Sequence, residues 1–372
     1  MMQVISPAPR DAWRSVVAED PSALPEHAPE WLDALCRVGP YADASRLYSF
    51  SDGRRFVLPL VRRTGIAGLG GWLLSYPASW GMGGLIGLAA DQDVIEAVIA
   101  DLRELGSQRI SIRPDPTRFS LWSGGLSVLG PSTGSGRRPS TGSGRRLSTS
   151  SARSANNPTL IKRRAHVIDL SGGPDAVKRR MHSSARQGVR VAERSGVRIE
   201  VDRSGELLDQ YYRLYLLSVD RWSERQHEPR ALAHWRARRR DPLQKLRTIS
   251  ECMGKAFVIT MAFIGDEPAY ASVTLLGQTA HYTRGAMDIA RVGTTRAGDL
   301  AQWTALQLAC EEGCTAFHMG ESGESDSLAR YKEKFGAQPV DYAEIRLEHL
   351  PYTRIDQGLR SVAKKVLRFR DV

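Results

Sequence analysis

The sequence predicts an α/β protein of two similar halves, each a mixed (α+β) sheet with helices packed on it. Two observations predict this. A helix-period segment, a glycine stop and an alternating strand occur twice, and turn-separated strand pairs precede both copies. In the first copy DQDVIEAVIADLRELG ends at Gly106 and SQRISI follows; in the second AGDLAQWTALQLACEEG ends at Gly313 and CTAFHM follows. Aligned on the two glycines, helix and strand superimpose without a gap, and glycine just past a last helical turn accepts a left-handed backbone at little cost. At 372 residues the chain suits two domains, and its 41% hydrophobic share is enough to bury a core.

In the first half Arg46–Phe50 and Arg55–Val61 read as strands around Ser51-Asp52-Gly53. Between Thr64 and Ala90 the chain carries no charge. That run is long enough to span a bilayer, but its glycines and Pro77 divide it, and two buried strands joined by Gly-rich turns explain it better. In the second half Glu206–Glu224 and Ala231–Cys252 read as helices. Strands follow at 256–264, 269–276 and 279–285, then the helix Leu300–Glu312, a strand at 315–319, the helix Ser327–Phe335 and the strand Asp341–Glu348. Asp175–Ser195 reads as one basic helix.

Between the halves lies a perfect tandem repeat, PSTGSGRR at 131–138 and again at 139–146. A stretch of Gly, Ser, Pro and Arg cannot offset chain entropy by burial, so 130–158 is expected to be a disordered insert. The division is then 1–129, the insert 130–158, a second half 159–350 and a basic tail 351–372. The net charge is +11, but Pro131–Arg164 holds seven arginines, one lysine and no acid, leaving +3 for everything else. The isoelectric point alone therefore does not identify a nucleic-acid binder. Cys36, Cys252, Cys310 and Cys314 are scattered, as reduced thiols of a cytoplasmic protein would be, and the N-terminus shows no apolar signal run. Cys310, Cys314 and His318 have a superficial metal spacing but fall on helix, turn and strand without a fourth ligand, so no metal is expected.

Three segments resemble the Fem family of the GNAT superfamily. KRRMHSSARQGVRVAERSGV is similar to its basic linker helix ending in Ala-Glu-x-x-Gly-Val, YTRGAMD (282–288) to its Tyr-x-x-Gly strand, and SLARYKEKFGAQP (327–339) to its Leu-x-x-Phe-Lys-x-x-Phe-Gly hallmark, with Tyr331 in place of phenylalanine. The resemblance covers about residues 165–350 well and the first half by layout alone. It implies two tandem GNAT-like acyltransferase domains and a transferase. The better-known members carry an amino acid from aminoacyl-tRNA to an amine of a nucleotide- or lipid-linked cell-wall peptide; related sequences use acyl-CoA on sugar amines or small molecules. The chain lacks the coiled-coil insertion of some cell-wall members and carries an insert they do not need, which puts a cell-wall acceptor in doubt.

On this resemblance Lys332 matches the lysine of the Phe-Lys motif, a cation for phosphate or developing charge. Arg221 resembles an arginine that contacts substrate phosphate. Tyr282 and Arg284 alternate on one strand, so both are expected on one side, facing substrate or core. Tyr331 joins them as a substrate-binding candidate. Glu321, in the loop after 315–319, is a candidate acceptor of the amine's proton, although N-capping by Ser325 or Asp326 explains part of that loop. Lys178, Arg179, Arg180, Arg186 and Arg190 could hold the phosphates of tRNA, or be a solvated face. RVGTTRAGD (291–299) precedes a helix, yet does not spell the Gln/Arg-x-x-Gly-x-Gly/Ala loop of acetyl-CoA-binding GNAT proteins. Three functions remain open: an aminoacyl-tRNA-dependent transferase with no bound cofactor, acting in the cytoplasm or peripherally at the inner membrane face; an acyl-CoA-dependent N-acyltransferase; and a non-catalytic polyanion-binding protein.

Overall fold

The computed structural model describes residues 2–64, 71–128, 158–323 and 325–358. The PSTGSGRR repeat, Glu324 and the end of the basic tail lie outside them. The chain opens with β1 (Met2–Ile5), α1 (Arg10–Glu19) and α2 (Pro29–Val38), then β2 (Tyr41–Asp43), β3 (Arg46–Phe50), β4 (Arg55–Leu58), β5 (Val61–Arg63) and β6 (Trp72–Leu74). It continues through α3 (Gln92–Glu104), β7 (Arg109–Ile112), α4 (Phe119–Val128), β8 (Thr159–Asp169), α5 (Gly173–Arg180), α6 (Ser183–Arg194) and β9 (Arg198–Asp202). The helices α7 (Leu208–Gln226), α8 (Arg230–Arg240) and α9 (Leu243–Met253) lead into β10 (Phe257–Ile264), β11 (Glu267–Leu276) and β12 (Ala280–Met287). The chain closes with α10 (Ile289–Val292), α11 (Ala297–Glu311), β13 (Ala316–Glu321), α12 (Asp326–Glu333) and β14 (Gln338–Glu348).

Among the described residues one 11-stranded sheet runs β2-β5-β6-β7-β14-β8-β13-β12-β11-β10-β9, and β1-β3-β4 form a second sheet. The two halves are thus parts of one continuous sheet. The duplicated unit also runs further than the sequence suggested. After β7 come α4 and β8; after β13 come α12 and β14. Each unit gives its last strand to the other: β14 pairs with β7 over Ile345↔Ile112 to Glu348↔Arg109, and β8 pairs with β13 over Ala316↔Asp169 to Glu321↔Ala165. The exchanged strands pair with each other along Gln338↔Val167 to Arg346↔Thr159. The repeat-bearing segment therefore sits between α4 and β8, inside the first unit, where the second unit has only Lys334–Ala337.

One face of the exchanged strands is apolar, with Ile345 joining Ile110, Ile112 and Trp122 of the first half's core. The other is ionic. Arg163 donates to Glu344 at 2.8 Å, and so does the Ser111 hydroxyl at 2.8 Å; Arg113 lies 3.7 Å away. Burial would raise the Glu344 carboxyl, but the guanidiniums of Arg346, Arg113 and Arg163 hold it down at about 2. Phe335 and Phe317 fill the second core beneath α11, while Tyr211, Phe257 and Met261 fill the third beneath α7.

Four expectations are corrected. The basic helix 175–195 breaks at Met181–His182, and the His182 ring accepts from the Ser184 amide to start α6. The helix 231–252 breaks at Asp241-Pro242, since proline supplies no donor to the preceding turn. Within Thr64–Ala90, β6 is the described strand, and Tyr76–Ile86 is largely buried coil held by isolated bridges rather than a second strand. Tyr282 and Arg284 do not share a face. A register shift opposite Val273/Thr274 leaves Thr283 without a register partner on β11, its hydroxyl donating to the Val273 carbonyl, and turns the two side chains apart.

Removing residues 131–154 is expected to leave the thermal midpoint within a few degrees of the parent, because the equivalent connection α12–β14 closes with four residues and a shorter loop costs less closure entropy. A loss of the cooperative melt by circular dichroism would show that the segment is part of the fold.

Candidate active site

The parallel pair β12–β13 forms the centre of the second half, and it is short. Ala280↔Phe317 and His281↔His318 are its register pairs; beyond them the strands part, and β13 carries a bulge between His318 and Glu321. The parallel pair of the first half, β6–β7, runs through three pairs and is continued by Ser75 bonding to Ser111 and Gly83 to Arg113. Only the second half therefore holds a gap between parallel strands among the described residues.

Lys332 and Glu321 meet at the end of β13. Lys332 is buried on α12, and its Nζ donates to the carbonyls of Gly320 at 3.0 Å and Glu321 at 2.7 Å. Burial lowers its pKa to about 8, against the pull of Glu321. The ammonium thus fixes the strand end. Glu321 stands at the last position of β13, not in a loop; its carboxylate accepts from the Tyr342 hydroxyl and from Arg163 at 3.4 Å. Ser325 caps α12 by accepting from the Leu328 amide, as its position suggested.

Tyr282 and Tyr331 come together through Tyr270. Tyr282 and Tyr331 both interact with the Tyr270 hydroxyl, and Tyr331 also donates to the Gly298 carbonyl at 3.3 Å at the start of α11. Burial raises all three phenols. Gly285 is obligatory beneath them, since a Cβ there would lie 1.8 Å from the Tyr282 oxygen. Arg284 points to the other face. It donates to Asp241 at 2.7 Å and to the Ser79 carbonyl at 3.0 Å, and Lys245 reaches the same two acceptors at 2.8 and 2.9 Å. This knot ties α9 and β12 to the first half. Burial pushes Lys245 down to about 7, helped by Arg284 and opposed by Asp241.

Arg221 is half-buried on α7, and its Nε and Nη1 have no partner. Burial and Arg225 lower its pKa. No contact joins it to Lys332 or Glu321. On α5 and α6, Lys178, Arg179, Arg186 and Arg190 have no acidic partner within 4 Å among the described residues, while Arg180 lies 3.9 Å from Asp169. Arg186 is drawn back onto the carbonyls of Met181 and Arg179, and Lys178 lies over the Trp303 ring. At the first turn of α11 the buried Asp299 pairs with Lys334 at 2.6 Å and presses on α6 so closely that Gly188 admits no side chain. Cys310 lies on α11, Cys314 donates to the Gly277 carbonyl, and His318 is buried on β13. No group of metal-ligating residues occurs among the described residues, and no described helix is long and apolar enough to cross a membrane.

Residues 178–333 match the profile of an acetyltransferase (GNAT) domain. The fold is a tandem GNAT-like one, and the second unit carries the stretch that matches this domain. Over 95% of this chain and 99% of the other, the structure is similar to FemX, with a TM-score of 0.66 at 12% identity. A conserved protein of unknown function from Bacteroides thetaiotaomicron gives 0.53 at 8% identity over 93% of this chain and 98% of that one. A tandem GNAT protein from the clavulanic acid biosynthesis pathway, solved without AcCoA, gives 0.50 at 13% identity over 94% and 99%. No curated protein matches the sequence. Within this GNAT fold, sequence reasoning did not find the Asp241–Lys245–Arg284 knot or Glu26 beside His281. Their members are separated by up to 255 residues, and no local motif marks them.

Replacing Lys332 with methionine is expected to destabilise the chain by about 1–3 kcal/mol in a urea titration, the cost of leaving carbonyls unpaired; a solvated cation would change stability by less than about 0.5 kcal/mol. Lys245 sets a pH signature. The folded chain binds fewer protons than the unfolded chain between about 7 and the ordinary 10.5, so stability gains from this group as pH rises through that window. Lys245→Met is expected to lack that gain, read as a difference in urea midpoints against pH; parallel curves would show that Lys245 keeps an ordinary proton affinity.

Proposed function

We propose that the chain is an N-aminoacyltransferase that carries an aminoacyl group from aminoacyl-tRNA to an amine of a peptidoglycan-precursor-like or other peptide acceptor. The observation that carries this reading is the cationic face of α5–α6, where Lys178, Arg179, Arg186 and Arg190 have no acidic partners among the described residues. Such a face suits the phosphates of an RNA stem. A second observation weighs on the donor. A helix N-terminus is a natural diphosphate cradle, but the first turn of α11 holds the Asp299 carboxylate and is packed against α6, which opposes a phosphate by like charge.

The reaction asks little covalent chemistry of the protein. Esters are already activated, and holding amine and carbonyl together can lower the barrier by roughly 7–11 kcal/mol. In this reading the parted strands β12 and β13 take the reacting groups, and Lys332 and Glu321 shape the end of β13. The Tyr270–Tyr282–Tyr331 cluster lines one face. Arg221, with two free nitrogens, serves an anionic group of a nucleotide- or lipid-linked acceptor. An acyl-CoA donor with a sugar amine or small-molecule acceptor is the second reading, favoured by the acetyltransferase profile over 178–333.

Purified protein incubated with a lysate acceptor pool and either labelled aminoacyl-tRNA or labelled acyl-CoA separates the two. Transfer abolished by RNase is expected, with Arg179→Glu/Arg190→Glu raising KM for aminoacyl-tRNA at least tenfold and steepening no melt. Transfer from acyl-CoA alone would overturn the tRNA reading and leave α5–α6 as a solvated surface.

A further inference from the structure

Where β12 and β13 part, the first half inserts a carboxylate. Glu26 is wholly buried in the turn Pro25–His27, and its Oε1 lies 2.7 Å from His281 Nδ1 while accepting from the Met82 amide at 3.1 Å. The placement is built. Tyr76 donates to the Glu26 carbonyl at 2.7 Å, Thr279 donates to the Ala23 carbonyl at 3.1 Å, and Gly81 adopts φ +81 where a Cβ would come within 2.7 Å of Oε1. Burial would raise Glu26, but the His281 ring holds it down at about 2.

His281 stands in the last register pair before the strands separate, opposite His318 at 6.1 Å between ring centroids. Its Nε2 has no hydrogen-bond partner among the described residues, and a Cβ built on Gly320 of β13 would lie 3.9 Å from it. Unpartnered buried atoms gather at the same place: Glu26 Oε2, Asp115 Oδ2 and His318 Nδ1. Buried polar groups without partners are rare in folded proteins, and they concentrate at functional sites. Glu321, the other candidate proton acceptor, already accepts from Tyr342 and Arg163.

We propose that His281 is the general base of the transfer and that Glu26, supplied by the other half, is its positioning residue; this rests on the acyl-transfer reading above. The Glu26 carboxylate accepts the Nδ1 proton and so leaves the Nε2 lone pair free. A neutral acceptor amine attacks the donor carbonyl carbon, the N–C bond forms, and Nε2 takes one amine proton. The tetrahedral oxyanion then collapses, the bond from carbon to the ribose oxygen of the tRNA breaks, and the imidazolium returns its proton to that oxygen. The products are an amide and a free ribose hydroxyl. A thioester donor would follow the same course with sulfur leaving. The charged and titratable groups gathered around the imidazole are Glu26 and His27 from the turn, His318 from β13 and Asp115 after β7.

Two measurements test this. In histidine-labelled protein without substrate, nitrogen NMR is expected to show His281 protonated at Nδ1, and Glu26→Gln to change that tautomer balance. In the labelled-donor assay, His281→Gln is expected to lower kcat about 100-fold or more, the usual worth of a general base, with KM for the donor unchanged. Glu26→Gln is expected to lower kcat as well as to change the tautomer balance, since a carboxylate no longer holds the Nδ1 proton. A His281 protonated at Nε2 overturns the proposal, and so does a His281→Gln variant that keeps kcat within twofold. Should wild-type protein transfer label from neither donor, the acyl-transfer reading falls and the base with it; transfer with an unimpaired His281→Gln removes the base alone. If His281→Gln does not fold, Glu26→Gln and the tautomer decide.

Discussion

Everything in this structure hangs on the exchange of β8 and β14. Each strand ends one unit of the duplication and completes the sheet of the other, and the two pair over nine residues at the centre. A sheet joined in this way has no weak seam at which the halves could hinge as separate bodies. The seam is reinforced by charge as well as by backbone bonds, with Arg163, Arg113 and Arg346 surrounding Glu344 and Glu321 on one face. Partly buried ion pairs of this kind contribute little net stability but punish a wrong register, because a slip by one residue would bury each charge unpaired.

That rigid frame lets one half furnish the other. The first half has no open gap between its parallel strands, because Ser75 and Gly83 continue the pairing with β7. What it contributes is polar groups aimed across the junction. Glu26 meets His281, and the Ser79 carbonyl meets both Lys245 and Arg284. The first contact arises from the 3-10 turn Pro25–His27 and the second from a turn outside helix and strand, and each is secured by close packing: Gly81 against Glu26, and Lys245 over the Trp80 ring at 4.2 Å. A duplicated fold with one closed and one open copy is thereby tied together across the junction.

Much of the frame was legible in the sequence because it follows local rules. Gly106 and Gly313 end the duplicated helices, the alternation of SQRISI marks β7, and apolar runs either side of a turn mark β10 and β11. Where reading failed, a long-range partner had replaced a local signal. The strand β8, TLIKRRAHVID, looks like the end of a basic insert; its charges become tolerable only against Asp341, Glu344 and Glu321 on neighbouring strands. The bulge at Thr283, which separates Tyr282 from Arg284, leaves no trace in the alternation of YTRGAMD. The family resemblance singled out Lys332 and the position after a strand singled out Glu321; the structure brings them together, but as a strand-end clasp whose ammonium is already committed to carbonyl oxygens.

The distribution of committed and uncommitted charge then separates two tasks. In the interior Lys332, Lys245, Arg284 and Arg163 each bond to fixed protein oxygens, so they hold geometry and have little left for an incoming anion. Arg221 differs in having two buried nitrogens without a hydrogen-bond partner, and Lys178, Arg179, Arg186 and Arg190 on α5–α6 have no acidic partner among the described residues, although Arg186 and Arg190 donate to protein oxygens. In the proposed reading the phosphates of the donor meet the α5–α6 face, where desolvation costs are small. Only the neutral amine and the carbonyl need approach the gap between β12 and β13. A His281 ring held at Nδ1 by Glu26, with no hydrogen-bond partner at Nε2 among the described residues, is placed in the proposed reaction to meet that amine.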